Sequence, residues 1–178
     1  MSTEKPEQII AEYLALRAGV DRKIEQLLAI HSEHINCRAK CCLCCVNLSV
    51  FPVEFQAIKA ELTARSAELS FDEAAACGFL KEQLCILYAS RPLICRTHGL
   101  PIVFLNDEVD PPQYAVDFCP ENFIGDSGAE VEFNPDNILN IDEMNEELFA
   151  INQRYVEALA DNNLTPLTRI PLAELLQE

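Results

Sequence analysis

No stretch of about 18 consecutive apolar residues occurs in the 178-residue sequence, so no segment is long enough to cross a bilayer as a helix. The opening residues, MSTEKPEQII, are charged and contain no uninterrupted apolar run of the kind that directs secretion. These two absences predict a cytoplasmic protein with no membrane association. Basic residues are scarce as well: 13 Lys and Arg stand against 29 Asp and Glu, a formal net charge of −16. The imbalance is uneven, with 11 basic against 12 acidic residues up to Arg96 and 2 against 17 beyond it. An acidic C-terminal half repels phosphate backbones and anionic lipid, so nucleic acid is not expected as a partner, and the simplest reading of the charge is a solubilising face. No glycine-rich nucleotide loop, radical-SAM cysteine triplet of the usual spacing, internal repeat or low-complexity segment is present. No Ser-His-Asp triad can be assigned, and the scattered carboxylates single out no acid–base pair. Glu146, Glu147 and Glu157 are expected on the solvated face of a helix.

What the chain has instead is cysteine, nine residues of it, at positions 37, 41, 42, 44, 45, 77, 85, 95 and 119, five of them packed into NCRAKCCLCC. In a reducing compartment such a set reads as metal binding or thiol chemistry rather than a disulfide framework. Cα atoms joined by one trans peptide are about 3.8 Å apart, below the usual disulfide span, so Cys41-Cys42 and Cys44-Cys45 are poor bridges. Thiolates bind soft or borderline metals, and four sulfurs on zinc or iron is the common intracellular outcome. Cys37, Cys41, Cys44 and Cys45 offer several sulfurs on one tight loop, and Cys77, Cys85, Cys95 and Cys119 can complete the shell from distant sequence. Two four-sulfur sites, one multinuclear cluster, or one site with spare thiols all fit this spacing. Arg38, Lys40, Arg91 and Arg96 lie beside the cysteines, either offsetting an anionic metal–thiolate centre or serving as ordinary surface cations. His98, in Cys95-x2-His98, is a candidate ligand or a hydrogen-bonded turn residue. His31 and His34 are read as favourable charges at a helix C-terminus, not as ligands.

Apolar residues Ile10, Tyr13, Leu14, Val20, Ile24, Leu27 and Leu28 recur at three- and four-residue spacing and predict an amphipathic helix from Glu4 to about His34, bent near Gly19. A second helix is expected from Pro52, with Glu54 in its first turn and a stripe of Phe55, Ile58 and Leu62. From Cys77 the sequence has no sustained helical period, which predicts short strands and turns. LPIVFLND and QYAVDFC flank DEVDPP and predict a hairpin running towards Cys119. Residues 120–140 read as an acidic loop, and IDEMNEELFAINQRYVEALADNN as a third helix with Ile141, Met144, Leu148, Ile151, Tyr155 and Leu159 inward. The tail IPLAELLQE suggests a short last helix. The expectation is one mainly α domain over residues 1–178, of α+β class with a small β-hairpin and loop region, its helices packed around a cysteine-rich metal centre. Residues 1–35 would be the N-terminal helix, 37–119 the cysteine core and 120–178 the acidic helical part.

Cys37-x3-Cys41-x2-Cys44-Cys45, followed by Cys77-Gly-Phe-Leu, Cys85-Ile-Leu-Tyr88 and Arg91-Pro92-x2-Cys95-Arg96, resembles the YkgJ-type cysteine-cluster family of zinc- or iron-chelating domains from about Cys37 to Cys119. The resemblance implies Cys37, Cys41, Cys44, Cys45, Cys77, Cys85 and Cys95 as the family cysteines, with Cys119 a later, less regular one. Cys42 departs from the pattern, standing where a small residue such as glycine is common. Arg91, Pro92 and Arg96 also match and could organise the loop around Cys95. The implied cofactor is zinc or iron, an iron–sulfur centre included, in a metal-binding protein with a structural or metal-handling role and an unidentified protein partner. Larger proteins with similar clusters include flagellin lysine methylases, so an iron–sulfur component of a modification enzyme is the alternative. A thiol–disulfide oxidoreductase is a third reading, from the interlaced pairs Cys41-x2-Cys44 and Cys42-x2-Cys45, although such sites normally lie at a strand-to-helix junction.

Overall fold

The computed structural model describes residues 4–65, 69–124 and 131–176. Helix α1, Pro6–Ile30, starts where a proline at the first helical position costs no hydrogen bond, and the Gln8 side chain accepts the Lys5 backbone N–H at 3.2 Å. It buries Ile9, Tyr13, Val20 and Leu27 along one face. Four residues of the expected helix, 31–34, form a turn instead. Helix α2, Pro52–Ala64, again has proline first, and α3, Leu93–Thr97, is a short helix in the stretch expected to hold only strands and turns. At five residues α3 is too short for a hydrophobic period to register in sequence. Helix α4, Ile141–Leu159, is capped by Asn140, whose side chain accepts from the Asp142 and Glu143 N–H groups. Its expected stripe is inward at Met144, Leu148, Ile151 and Tyr155, while Leu159 is exposed; Glu146, Glu147 and Glu157 face solvent as expected.

Strands are short. β1, Ser49–Val50, pairs antiparallel with β7, Ile170–Pro171; β2, Leu80–Lys81, pairs antiparallel with β3, Leu84–Cys85. The hairpin around DEVDPP is present as β4, Ile102–Asn106, and β5, Gln113–Asp117, with Phe104 opposite Ala115. The segment read as an acidic loop ends in β6, Leu139–Asn140, which lies parallel to β4; the glycines Gly125 and Gly128 of that reading lie outside the described residues. The short last helix expected in the tail is a 3-10 helix, Leu172–Leu176. The described residues are thus mostly helical with small sheets, an α+β arrangement.

Two apolar clusters fill the interior. The first joins α1, α2 and α4 through Tyr13, Leu27, Val53, Ala57, Leu148, Ile151 and Tyr155. The second gathers Val50, Ile58, Leu62, Phe79, Leu87, Leu172 and Leu175, with Cys77 and Cys85 half-buried against it. The helices therefore pack on one another through aliphatic and aromatic side chains, and the cysteines lie on loops, on β3 and on the short α3. Buried Asn152 pins α4 to the start of α2, accepting from Val53 N–H at 3.3 Å and donating to the Pro166 carbonyl at 2.9 Å. Among the described residues no helix is long and apolar enough to cross a membrane.

Candidate metal centre

The cluster loop is built from two successive turns, closed by Cys41 N–H on the Arg38 carbonyl and Cys45 N–H on the Cys42 carbonyl, both at 3.0 Å. Lys40, inside the first of them, takes a left-handed φ of 74°. Cys37, Cys41 and Cys44 are exposed, and Cys42, Cys45, Cys77, Cys85, Cys95 and Cys119 are half-buried; all nine are free thiols.

At the start of the loop Asn122 is the organising residue. It is 2% exposed, its Oδ1 accepts the Asn36 N–H at 2.8 Å, and its Nδ2 donates to the Gly99 carbonyl at 2.5 Å and approaches Cys37 Sγ at 3.6 Å. Its own N–H bonds the Cys119 carbonyl at 2.8 Å, so one amide joins the segments of Cys37, Gly99 and Cys119. Gly99 has φ +86°, and a Cβ there would lie 3.1 Å from Cys37 Sγ and 3.5 Å from Cys119 Cβ. Gly99→Ala is expected to cost about 1–2 kcal/mol of stability through the left-handed backbone alone. It is also expected to push Cys37 aside, lowering zinc affinity in a competition titration with a coloured chelator.

The far end of the loop is sewn to the second cysteine segment by Asn47. Its N–H bonds the Ala76 carbonyl and its Oδ1 accepts the Gly78 N–H, each at 2.9 Å, which brings Cys45 towards Cys77. The β2–β3 hairpin then sets Cys85 opposite Leu80, whose N–H bonds the Cys77 carbonyl at 3.1 Å. Cys95 rides on α3, held by two arginines. Arg91 lies over the Tyr88 ring at 3.7 Å and donates to the Tyr88 and Cys95 carbonyls. Arg96 donates to the Ala89 and Arg91 carbonyls and to both oxygens of Asp21, tying α3 to α1. The two arginines thus organise the Cys95 loop as the sequence suggested, while Arg38 and Lys40 are exposed.

Electrostatics divide the thiols. Burial pushes the Cys44 thiol up, and the thiolate charges of Cys37, Cys119 and Cys41 push the same way. Cys45 is pushed up to about 11, by burial first and then by Cys44, Cys77 and Cys85. Cys95 is pushed up to about 12, by burial and then by Cys85 and Cys77, with the Arg91 charge opposing. Burial also raises Cys85 against a hydrogen bond from the Leu87 backbone. Cys44 thus feels the charges of Cys37, Cys119 and Cys41, while Cys45 feels Cys44 first and then Cys77 and Cys85. Cys42 adds to the charge felt by Cys45. Among the described residues no three Cys, His, Asp or Glu side chains converge closely enough to hold an ion as they stand. The donor chemistry fits zinc or iron, and ligation requires the exposed loop side chains to rotate inward.

The histidines stand apart from this. His98 is half-buried, and burial holds it below its ordinary value, with the Cys44 backbone opposing. His31 is 2% exposed and bonds the Asn137 carbonyl at 2.7 Å, and His34 stacks on Phe123 at 5.5 Å. His31 is the C-cap residue of α1, and both rings pack against Phe123, with Phe133 beside His31. Asn122 and Asn47 have no signal in linear sequence, since an isolated asparagine gives no spacing pattern; only the folded contacts reveal them.

Residues 36–119, the segment these contacts organise, match the family model CxxCxxCC, described as "Putative zinc- or iron-chelating domain". The match covers just under half of the chain and agrees with the resemblance read from the motif, and the description of that family indicates zinc or iron chelation. No curated protein and no solved structure matches the chain.

Proposed function

We propose that this domain binds metal through two groups of four thiolates, Cys37, Cys41, Cys44 and Cys119 in one and Cys45, Cys77, Cys85 and Cys95 in the other. The role is non-catalytic, structural or metal-handling, in the reducing cytoplasm. The observation that carries the reading is the division of the cluster loop: Asn122 and Gly99 gather its beginning with Cys119, and Asn47 and the β2–β3 hairpin gather its end with Cys77 and Cys85. A bound cation would supply the positive charge that lets crowded, partly buried thiols ionise, so loading releases protons. The cluster loop lies in turns between α1 and β1 and not at a strand-to-helix junction, which runs against the oxidoreductase reading.

Elemental analysis and an absorption spectrum of untagged protein purified without oxygen test this. Two zinc ions per chain with no visible absorption, or two iron ions with thiolate-to-metal bands, support it. Nine free thiols and no metal sink it.

A further inference from the structure

On the side of the molecule formed by α1 and α4, a groove of about 1080 Å³ runs between the two helices and the β4–β5–β6 sheet. Its floor is apolar, with Leu16 and Val20 from α1, Met144 and Ile151 from α4, and Leu139 from β6. The charged groups stand on the rim. Arg154 is occupied by Glu4 and Glu12, and Lys23 donates to the Pro135 and Asp136 carbonyls at 3.2 and 3.0 Å. Glu143 and Glu147 are exposed at the edge and form no ion pair among the described residues. Lys23 has no carboxylate partner among the described residues either, so the charge left unpaired on the rim is two carboxylates against one ammonium, net negative.

Gly19 supplies an independent indication. Glycine inside an exposed helix costs about 1 kcal/mol relative to alanine. The fold does not require it, because a Cβ at Gly19 would meet only the far end of Arg22, at 3.7 Å. What Gly19 does is leave the groove wall open, together with Ala15 on the same helix and Ala150 opposite. An open trough with apolar floor and polar rim suits an extended amphipathic element better than an enclosed small molecule, which needs polar groups converging from the floor.

We propose that this groove docks a basic amphipathic helix of a partner protein, its apolar face entering between α1 and α4 and its lysines or arginines meeting Glu143 and Glu147. The apolar contacts give affinity, and the rim carboxylates give orientation and selection against acidic helices.

The probe is a fluorescein-labelled synthetic helix of about fifteen residues, leucine on one face and lysine on the other, read by anisotropy against the metal-loaded protein. Gly19→Leu fills the trough without altering charge, and Ala150→Leu does so from the opposite wall. Each is expected to weaken binding at least about tenfold, and the Glu143→Lys/Glu147→Lys pair by about tenfold. Circular dichroism and metal content are expected to match the parent protein in all three. A second peptide with glutamate for lysine is expected not to bind.

Equal binding by the parent protein and both leucine variants would reduce the interaction to general attraction between opposite charges and overturn the proposal. So would equal affinity for the two peptides, or no binding of the basic one. Dodecyltrimethylammonium binding as tightly as the peptide and lost in Gly19→Leu would reassign the groove to small cationic amphiphiles. None of these outcomes depends on how many ions the cysteines hold, which the metal analysis reads separately.

Discussion

Cys85→Ser together with Cys95→Ser is expected to remove one of two bound metal ions and to loosen one half of the molecule while leaving the other folded. Cys85 packs half-buried against the cluster of Val50, Ile58, Leu62, Phe79, Leu87, Leu172 and Leu175, whereas the cluster uniting α1, α2 and α4 contains no cysteine. A structural zinc site contributes roughly 10–16 kcal/mol of apparent binding energy, comparable with the whole stability of a domain of this size. Loss of that energy from one side should appear in hydrogen exchange as lost protection at Phe79, Ile86 and Leu87, with protection retained along α1 and α4. The complementary pair, Cys37→Ser with Cys119→Ser, is expected to take the other ion and to lose protection around Asn36 and Asn122. Both pairs emptying the protein of all metal would mean one multinuclear centre, and neither changing the metal content would remove these cysteines from ligation.

Glu54→Ala is the second change expected to be severe, and it lies outside the cysteines altogether. The carboxylate is 2% exposed and accepts from Leu93 N–H at 3.1 Å, Phe51 N–H at 3.4 Å and the Tyr13 hydroxyl at 3.4 Å. One side chain thereby joins α1, the start of α2 and the start of α3, the helix that bears Cys95. Alanine leaves three buried donors without an acceptor, at about 1–3 kcal/mol each, and a destabilisation of about 3–5 kcal/mol is expected in urea unfolding. Acidity gives a further signature. Burial raises Glu54 above the ordinary carboxylate value, outweighing the three hydrogen bonds and the nearby Arg169 charge. The folded state then holds a proton that the unfolded chain releases, so this contribution is complete below the unfolded value and lost as pH rises through the folded one. Glu54→Gln cannot ionise. Its stability deficit relative to the parent protein is expected to be greatest in acid and to shrink as pH rises towards neutrality; a constant deficit would show that Glu54 does not titrate with folding.

Periodicity made the long elements legible in sequence. The buried faces of α1 and α4 follow from Tyr13, Val20, Leu27, Met144, Leu148, Ile151 and Tyr155, because three-and-a-half-residue spacing over many turns has no competing explanation. The β4–β5 hairpin was equally visible from its turn residues. Short elements were not: α3 and the two-residue strands β6 and β7 exist because distant partners complete their hydrogen bonds, and such partners leave no local pattern. The cysteine motif identified the family segment, but it could not divide eight thiols between two sides of a loop. That division is suggested by Asn47, Gly99 and Asn122, residues whose chemistry is ordinary and whose importance comes from where the chain returns. Glu54 stands in the first turn of α2 as expected, and it is also a buried bridge, which nothing in sequence marked because the space above α2 is filled by distant segments.

The pairing of Ser49–Val50 with Ile170–Pro171 has a temporal implication. The strand beside the thiol-rich loop meets its partner more than a hundred residues later in the chain, where Leu172 and Leu175 join the cluster against which Cys77 and Cys85 pack. During synthesis that side of the domain therefore closes only after the cysteine loop has left the ribosome.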